Sequence, residues 1–379
     1  FSTSQQVVNR PYQETSSRVS GSEIISSNSK TSYNGNYGLN ASWTLYNGNK
    51  RLKTIQQEKL NNQVAELDVA TSENNIQESI AQVYIQILYA AESVKVNEST
   101  LQVSIAQRDR GQELLNAGSI AKSDFAQLEA QVSTDRYQLV TAQATLEDYK
   151  LQLKQLLELD GENEMNIYLP ALSDENVLAP LPTKKDVYIS ALSLRPEIEA
   201  SKLNVEASEL GIGIAKSSYL PTISLSAGIG TNHTSGSDFT FGEQVKNGWN
   251  NSIGLSVSVP IFNNRQTKSA VQKAKLQYET SMLSLLDEQK TLYKTIEGLW
   301  LDANSAQQRY AAANEKLKST QISYELISEQ FNLGMKNTIE LLTEKNNLLQ
   351  AQQEQLQAKY MAILNTQLLK FYQGDQLAL

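Results

Sequence analysis

From Ile76 the apolar positions step by four and three: Ile76, Ile80, Val83, Ile87, Ala90, Val94 and Leu101, with Asn97 the one polar member. A second series runs Leu128, Val132, Leu139, Ala142, Leu146, Tyr149, Leu153 and Leu156, broken only by Asp135. Sustained four-three spacing is the seam of a coiled coil. The seven prolines, Pro11, Pro170, Pro180, Pro182, Pro196, Pro221 and Pro260, leave two long gaps. Proline costs about 3 kcal/mol inside a helix, so those gaps are where long helices run. The pattern predicts helices at 49–116, 121–158, 186–218, 265–333 and 337–373. Elsewhere the period falls to two. Tyr37, Leu39, Ala41, Trp43 and Leu45 alternate with Asn, Gly, Ser and Thr, as do Ile223, Leu225, Ala227 and Ile229, and Ile253, Leu255, Val257 and Val259. These are strands with one apolar and one polar face. Residues 1–9 read as a weaker strand of the same kind, and the polar stretches 12–34 and 231–250 as exposed loops.

The chain repeats itself at an offset of 216 residues. Gly38-Leu39-Asn40-Ala41-Ser42-Trp43-Thr44-Leu45-Tyr46-Asn47 lies over Gly254-Leu255-Ser256-Val257-Ser258-Val259-Pro260-Ile261-Phe262-Asn263. The same offset puts Leu60 on Leu276, Ile80 on Ile296 and Leu101 on Leu317, and carries Leu115-Asn116-Ala117-Gly118 onto Phe331-Asn332-Leu333-Gly334. Heptads match by chance; a strand end and a glycine turn at equal separation in both copies do not. The chain is a duplicated strand–strand–helix–turn–helix unit. A helix of about 70 residues spans about 105 Å, and a returning helix of about 37 covers only roughly 55 Å. The segment 186–218 adds about 50 Å, so two shorter helices stacked end to end match one long one. The second copy lacks such an upper half-helix, which predicts a helix of at least about 35 residues ahead of Phe1.

Composition narrows the chemistry. There is no Cys and one His, with 33 Lys+Arg against 41 Asp+Glu and a net charge of −8. That excludes disulfides, thiolate metal sites, cysteine nucleophiles and His–His metal pairs. The acidic balance argues against a nucleic-acid partner. No cofactor or metal site is expected. His233 lies in a polar loop without a partner, and Asp109/Glu113 are helix-face charges rather than an acid–base dyad. No apolar run reaches the length of a transmembrane helix, and no signal peptide is visible. The strands, at about 9–12 residues, do have transmembrane β length. Four strands cannot close a barrel, so strands pool from several chains: a dimer gives eight, a trimer twelve. Tyr37, Leu39, Trp43, Leu225, Ile253, Leu255 and Val257 are then the lipid-facing positions. A soluble or periplasmic coiled-coil structural or adaptor protein is the alternative, and it leaves the alternating strands unexplained. An acid-catalysed hydrolase is a third class, for which no pocket-forming βα pattern exists.

Several landmarks now fall in a recognisable order: Leu45-Tyr46-Asn47-Gly48 before the long helix, Tyr219-Leu220-Pro221 before a strand, Arg195-Pro196-Glu197 at the upper-helix start, and Gly118 and Gly334 in the helical hairpins. In that order and spacing the chain resembles the TolC-type outer-membrane efflux and secretion channels over essentially its whole length. The resemblance implies a mainly α fold with a small membrane β part. It implies a homotrimer whose twelve-stranded barrel stands on an α-helical coiled-coil barrel. It divides the chain into a first strand pair (1–48), a first helical hairpin (49–158), an equatorial belt (159–185), an upper tunnel helix (186–218), a second strand pair (219–264), a second hairpin (265–373) and a tail (374–379).

The same resemblance implies function: a passive exit duct in the outer membrane of a Gram-negative bacterium, extending into the periplasm. Such a duct is no enzyme, and serves an inner-membrane RND or ABC pump through a periplasmic adaptor. The hairpin turns form the periplasmic tip, where Gly118, Gly334, Lys122 and Asp124 are adaptor-contact or capping positions. Lys336 and Glu340, with Phe331, fall on the family's gating stretch. A three-fold ring of Glu340 would concentrate negative potential at a narrow mouth. The family's second acid position is Thr343 here, with Glu344 beside it. Read from spacing alone, Lys336 and Glu340 are equally an i,i+4 surface pair.

Overall fold

The computed structural model describes residues 2–9, 16–20, 23–27, 31–159, 167–168 and 177–377. Its described elements are β1 (Ser2–Asn9), β2 (Ser16–Ser20), β3 (Glu23–Ser27), β4 (Thr31–Asn47), α1 (Lys50–Asn116), α2 (Lys122–Leu156), α3 (Lys184–Leu194), α4 (Pro196–Ser217), β5 (Thr222–Thr234), α5 (Phe241–Asn247), β6 (Asn250–Ser258), α6 (Gln266–Asn332) and α7 (Thr338–Gln373). The offset of 216 carries the bounds of α1 onto those of α6, both 67 residues long, and the start of α2 onto the start of α7. The duplication is therefore structural as well as textual.

The chain forms two compact units. The first holds Phe1–Asn62 and Asn204–Met282. Its main sheet is antiparallel throughout, in the order β1-β4-β5-β6, and β2 and β3 form a separate hairpin. Register sorts the two faces. Trp43 lies opposite Leu225 and Leu225 opposite Leu255; Ala41, Ala227 and Ile253 form the next row, and Leu39 faces Ile229. The alternate rows are polar: Thr44, Ser224 and Ser256; Ser42, Ser226 and Gly254; Asn40, Gly228 and Ser252. A register shift between Thr44 and Tyr46 marks a bulge near the strand end, where the twist rises before the helix begins. In this unit α4 packs on the start of α1, with Gln57 Nε2 donating to the Ala207 carbonyl at 2.8 Å.

The second unit holds Gln63–Leu203 and Leu283–Leu379 and is helical. One cluster joins Ile85 and Leu88 of α1, Val177, Tyr310 of α6 and Ile363 and Leu364 of α7. A second joins Val187, Ile198, Ile296 and Leu369 from α3, α4, α6 and α7. The described end of the predicted belt lies along α6: Gln307 Nε2 donates to the carbonyls of Val177 (2.9 Å) and Ala179 (2.8 Å), and Trp300 Nε1 to that of Pro182 (3.0 Å). Residues 160–166 and 169–176 of that belt lie outside the described residues.

The structure corrects four expectations. The helix expected at 186–218 is two helices, because Arg195 ends α3 in an extended conformation (ψ 124°) and Pro196 opens α4 at its first position. Proline is tolerated there because the first helical N–H has no partner anyway. The stretch 12–34 holds β2, β3 and the start of β4, and 231–250 holds the end of β5 and α5. Strand lengths run from 5 residues to the 17 of β4, beyond the expected range. His233 belongs to β5 and its ring lies 5.1 Å from that of Phe241, so it is partnered after all.

Candidate gate, hairpin turns and sheet face

Each long helix begins from two consecutive left-handed residues. Gly48 (φ 67°) and Asn49 (φ 62°) precede α1, and Asn264 (φ 52°) and Arg265 (φ 61°), at the same offset, precede α6. Asn47 Oδ1 then accepts the Arg51 amide at 3.2 Å, while its counterpart Asn263 bonds Thr267 Oγ1. Non-glycine residues pay about 1–2 kcal/mol in this region, so three of them in two copies mark a fixed strand-to-helix angle.

Both hairpin turns are Schellman motifs. The Gly118 amide donates to Leu115 O (2.9 Å) and that of Ser119 to Leu114 O (2.8 Å); Gly334 to Phe331 O (2.9 Å) and Met335 to Gln330 O (2.8 Å) repeat the pair. The glycines have φ 73° and 72°, which is why glycine stands there. After them the copies diverge. Asp124 and Glu340 are related by the offset, and each takes the third helical position. Asp124 Oδ2 accepts the Ala121 amide at 3.3 Å, but alanine offers no side-chain oxygen in return and the Asp124 amide donates to the Ala121 carbonyl at 3.1 Å. Asn337 and Glu340 cap reciprocally: Asn337 Oδ1 accepts the Glu340 amide at 2.9 Å, and Glu340 Oε2 accepts the Asn337 amide at 3.2 Å.

Lys336 pairs with the other carboxylate oxygen, Nζ to Oε1 at 2.5 Å, in the i,i+4 arrangement. That lysine first, and the Asn337 amide second, hold the Glu340 carboxyl below the usual carboxylate range. Of the remaining sequence-predicted residues, Lys122 is exposed at the start of α2. Phe331 is 3% exposed. Within the single chain its side chain is packed rather than free. Glu344 accepts from Ser323 Oγ at 3.3 Å and lines a polar groove of about 310 Å³ between α6 and α7. Asp109 and Glu113 pair with Arg108 and Arg110, at 2.5 and 2.6 Å, as surface charges do.

Sequence reasoning missed a buried polar cluster. Lys345 of α7 bonds both Asp135 of α2 and Ser104 of α1, and Ser104 bonds Asp135 in turn. The Lys345 and Asp135 side chains are 3% and 1% exposed. Gln131 Nε2 satisfies the second carboxylate oxygen at 2.8 Å. The signal was present: Asp135 interrupts an apolar series, and Lys345 falls in the buried α7 series Leu341, Leu348, Ala351. Burial lowers the Lys345 pKa, with Asp135 acting in the opposite direction. At the α3–α4 junction Arg195 is also buried; it bonds Glu78 at 2.7 Å and lies 3.6 Å from the centre of the Tyr372 ring.

The apolar sheet face is bare over most of its extent. Ile253 is 84% exposed, Leu255 66%, Trp43 61%, Val257 60% and Leu39 51%. Leu225, on a central strand, is half-buried between its neighbours, as is Tyr37, whose hydroxyl accepts from Gln5 Nε2 at 2.6 Å. Among the described residues no group of acids and histidine could hold a metal, and no helix is long and apolar enough to cross a membrane.

The duplicated strand–helix–hairpin architecture with its bare sheet face defines a class of protein that comparison with known proteins identifies. Residues 9–158 and 187–374 match the outer membrane efflux protein family, and the chain belongs to it. It is 24% identical to the outer membrane efflux protein BepC of Brucella suis over 294 residues, covering 77% of this chain and 61% of BepC. With TolC of Escherichia coli the identity is 23% over 311 residues, 80% of this chain and 62% of TolC. The chain thus spans about three fifths of the length of these two relatives. The fold matches a crystal structure of CusC with a TM-score of 0.78 at 18% identity, over 99% of this chain and 83% of CusC.

Proposed function

We propose that the chain is one protomer of a trimeric exit duct in the outer membrane of a Gram-negative bacterium. Cargo passes through it passively, and an inner-membrane pump of RND or ABC type, joined by a periplasmic adaptor, supplies the energy. The observation that carries this reading is the four-stranded sheet, dry on one face and polar on the other, with β1 and β6 at its ends. A soluble protein would cover such a face or lose it to aggregation. Three copies joined edge to edge supply twelve strands, enough to enclose a lumen lined by the Ser, Thr, Asn and Gly rows, with the apolar rows against lipid.

In this assembly residues 1–48 and 219–264 form the barrel, the hairpins 49–158 and 265–373 form the tunnel, 159–185 the belt and 186–218 its upper helices. The turns at Gly118 and Gly334 form the periplasmic end, with Lys122 and Asp124 at the adaptor surface. Three Glu340 carboxylates, each kept charged by its Lys336 and its cap, make an acidic ring at the mouth. The alternative of a soluble coiled-coil adaptor has the helices in its favour and the bare sheet against it. The test is the mass of the detergent-extracted particle together with conductance in planar bilayers. A trimer that conducts, with cation preference reduced in Lys336→Ala/Glu340→Ala, is expected. A monomer that stays in the aqueous phase would sink the reading, and unchanged selectivity would sink the ring alone.

A further inference from the structure

Among the described residues, the apolar face of the sheet is covered at one end by α5. Tyr37 lies opposite Thr231, and Gly35 opposite His233. By strand alternation all four share the face of Leu39, Trp43, Leu225 and Leu255. The helix sits on that face: Thr231 Oγ1 donates to the Val245 carbonyl at 2.7 Å, and the Phe241 ring meets Tyr37 edge-on at 6.3 Å and His233 at 5.1 Å. The seat is built. Gln244 Oε1 accepts the Thr234 amide at 2.9 Å, its Nε2 donates to Phe239 O at 2.9 Å, and Thr240 and Glu243 cap the helix reciprocally. Yet the aromatics around it stay open to the outside, with Phe239 48%, Phe241 55% and Trp249 56% exposed.

Along β4 the order on this face is aromatic, aliphatic, aromatic: Tyr33 and Tyr37, then Leu39 and Ala41, then Trp43 and, past the bulge, Tyr46. From Tyr37 to Tyr46 the strand rises about 30 Å at roughly 3.3 Å per residue. At a tilt of about 40° that is about 23 Å of height, close to the roughly 25 Å apolar band of an outer-membrane barrel. The α5 cluster therefore stands one hydrocarbon thickness from the end of β4 that leads into α1. A helix closing the pore would instead lie on the Ser/Thr/Asn face.

We propose that α5, with Phe239, Phe241 and Trp249, is a membrane-surface anchor: it seats on the outside of the barrel at the outer lipid–water boundary, its occupant the headgroup–acyl junction of the surrounding lipid. This rests on the outer-membrane duct reading above. Rings with an apolar body and a polar edge favour that junction, and a polar tip on the same element keeps it from sinking deeper. Glu243, Lys246 and Asn247, all exposed, supply that tip.

The chain has no cysteine, so single spin labels report without background. Phe239→Cys and Asn247→Cys probe α5, Ile253→Cys the centre of the apolar band, and Ser256→Cys the polar face. The labelled full chain is reconstituted into phosphatidylcholine–phosphatidylglycerol vesicles, and collisions with oxygen and with a nickel chelate are compared. The expected oxygen-to-nickel ratio is highest at Ile253→Cys, lowest at Ser256→Cys and intermediate at both α5 sites. If the α5 sites read as fully aqueous while Ile253→Cys reads as lipid, the anchor is overturned and the duct stands. If Ile253→Cys is aqueous as well, the duct reading falls and takes the anchor with it. Should Phe239→Cys fail to assemble, Asn247→Cys reads the same boundary without touching the aromatic cluster.

Discussion

The buried pair of Lys345 and Asp135 offers the sharpest energetic test of the helical unit. Both charges sit among packed helices at 3% and 1% exposure, with Ser104 and Gln131 completing their bonds. Replacing Lys345 with Met leaves the Asp135 carboxylate buried without its cation. Breaking a buried pair from one side costs about 3–5 kcal/mol. Two hydrogen bonds to Asp135 survive, so the lower end, about 3 kcal/mol, is expected. Removing both charges in Lys345→Met/Asp135→Leu should recover most of that loss, since an apolar pair of similar volume is often neutral or better. In the trimeric membrane assembly proposed above, unfolding would not be two-state, so a global midpoint is the wrong readout. Hydrogen exchange of the α2 and α7 amides flanking 135 and 345 reads local opening directly. About 3 kcal/mol corresponds to roughly 150-fold faster exchange in either single variant, and near wild-type exchange in the double. The pH dependence has a fixed sign. A lysine whose folded pKa lies below its unfolded value gives stability that rises with pH between the two. Raising the pH toward the ordinary lysine range should raise the protection of these amides, taken relative to the intrinsic exchange rate at each pH, in the wild type and not in Lys345→Met. Singles that exchange like wild type, or a double that costs the sum of the singles, would refute the reasoning.

Other substitutions test the remaining elements. Gly118→Ala and Gly334→Ala add a methyl group that meets nothing within 4 Å, so each should cost only the left-handed backbone penalty of about 1–2 kcal/mol; hydrogen exchange of the amides flanking each turn should quicken equally in the two copies and stay unchanged in Gly242→Ala. Gly111 is a packing glycine, since a Cβ there would overlap Leu128 Cδ1; Gly111→Ala should cost about 1–3 kcal/mol by overpacking and be partly relieved by Leu128→Ala. The Glu340 carboxyl has a depressed folded pKa, so its support of the first turn of α7 is present above the unfolded carboxylate pKa and lost as pH falls through the folded one. The protection of amides 339–343, taken relative to the intrinsic exchange rate at each pH, should therefore fall on acidification in the wild type and stay constant in Glu340→Gln. Arg195→Met should loosen the α3–α4 junction by about 3–5 kcal/mol, because Glu78 is left half-buried without its partner; protease cleavage at 194–196 that stays at the wild-type rate would contradict this.

How much of this was legible in advance follows the range of the interactions. The bounds of α1 and α6, the two glycine turns and the alternating strands come from periodicity and backbone rules that act over a few residues. They were readable because Gly118 and Gly334 must adopt a left-handed φ whatever surrounds them. Pro196 announced a helix start and splits 186–218 locally by disfavouring helical backbone at Arg195, whereas the meeting of Arg195 with Glu78 and Tyr372 depends on segments far along the chain. Asp135 appeared only as a flaw in a series. Its reason is a lysine 210 residues away, and no local pattern carries that distance.

The sequence by itself determined the duplicated architecture, the coiled-coil texture of the helices and the two-faced character of the strands. Each is a periodicity imposed by backbone geometry on apolar side chains. The tertiary structure decided which strands neighbour one another, so that rows such as Trp43, Leu225 and Leu255 make one dry surface. It also decided that Glu340 is fastened to Lys336 and Asn337 as a cap, that α5 rests on the apolar side, and that two charges meet inside the helical unit. These depend on where distant segments meet, and a buried charge is tolerated only when a partner from elsewhere in the chain arrives to satisfy it.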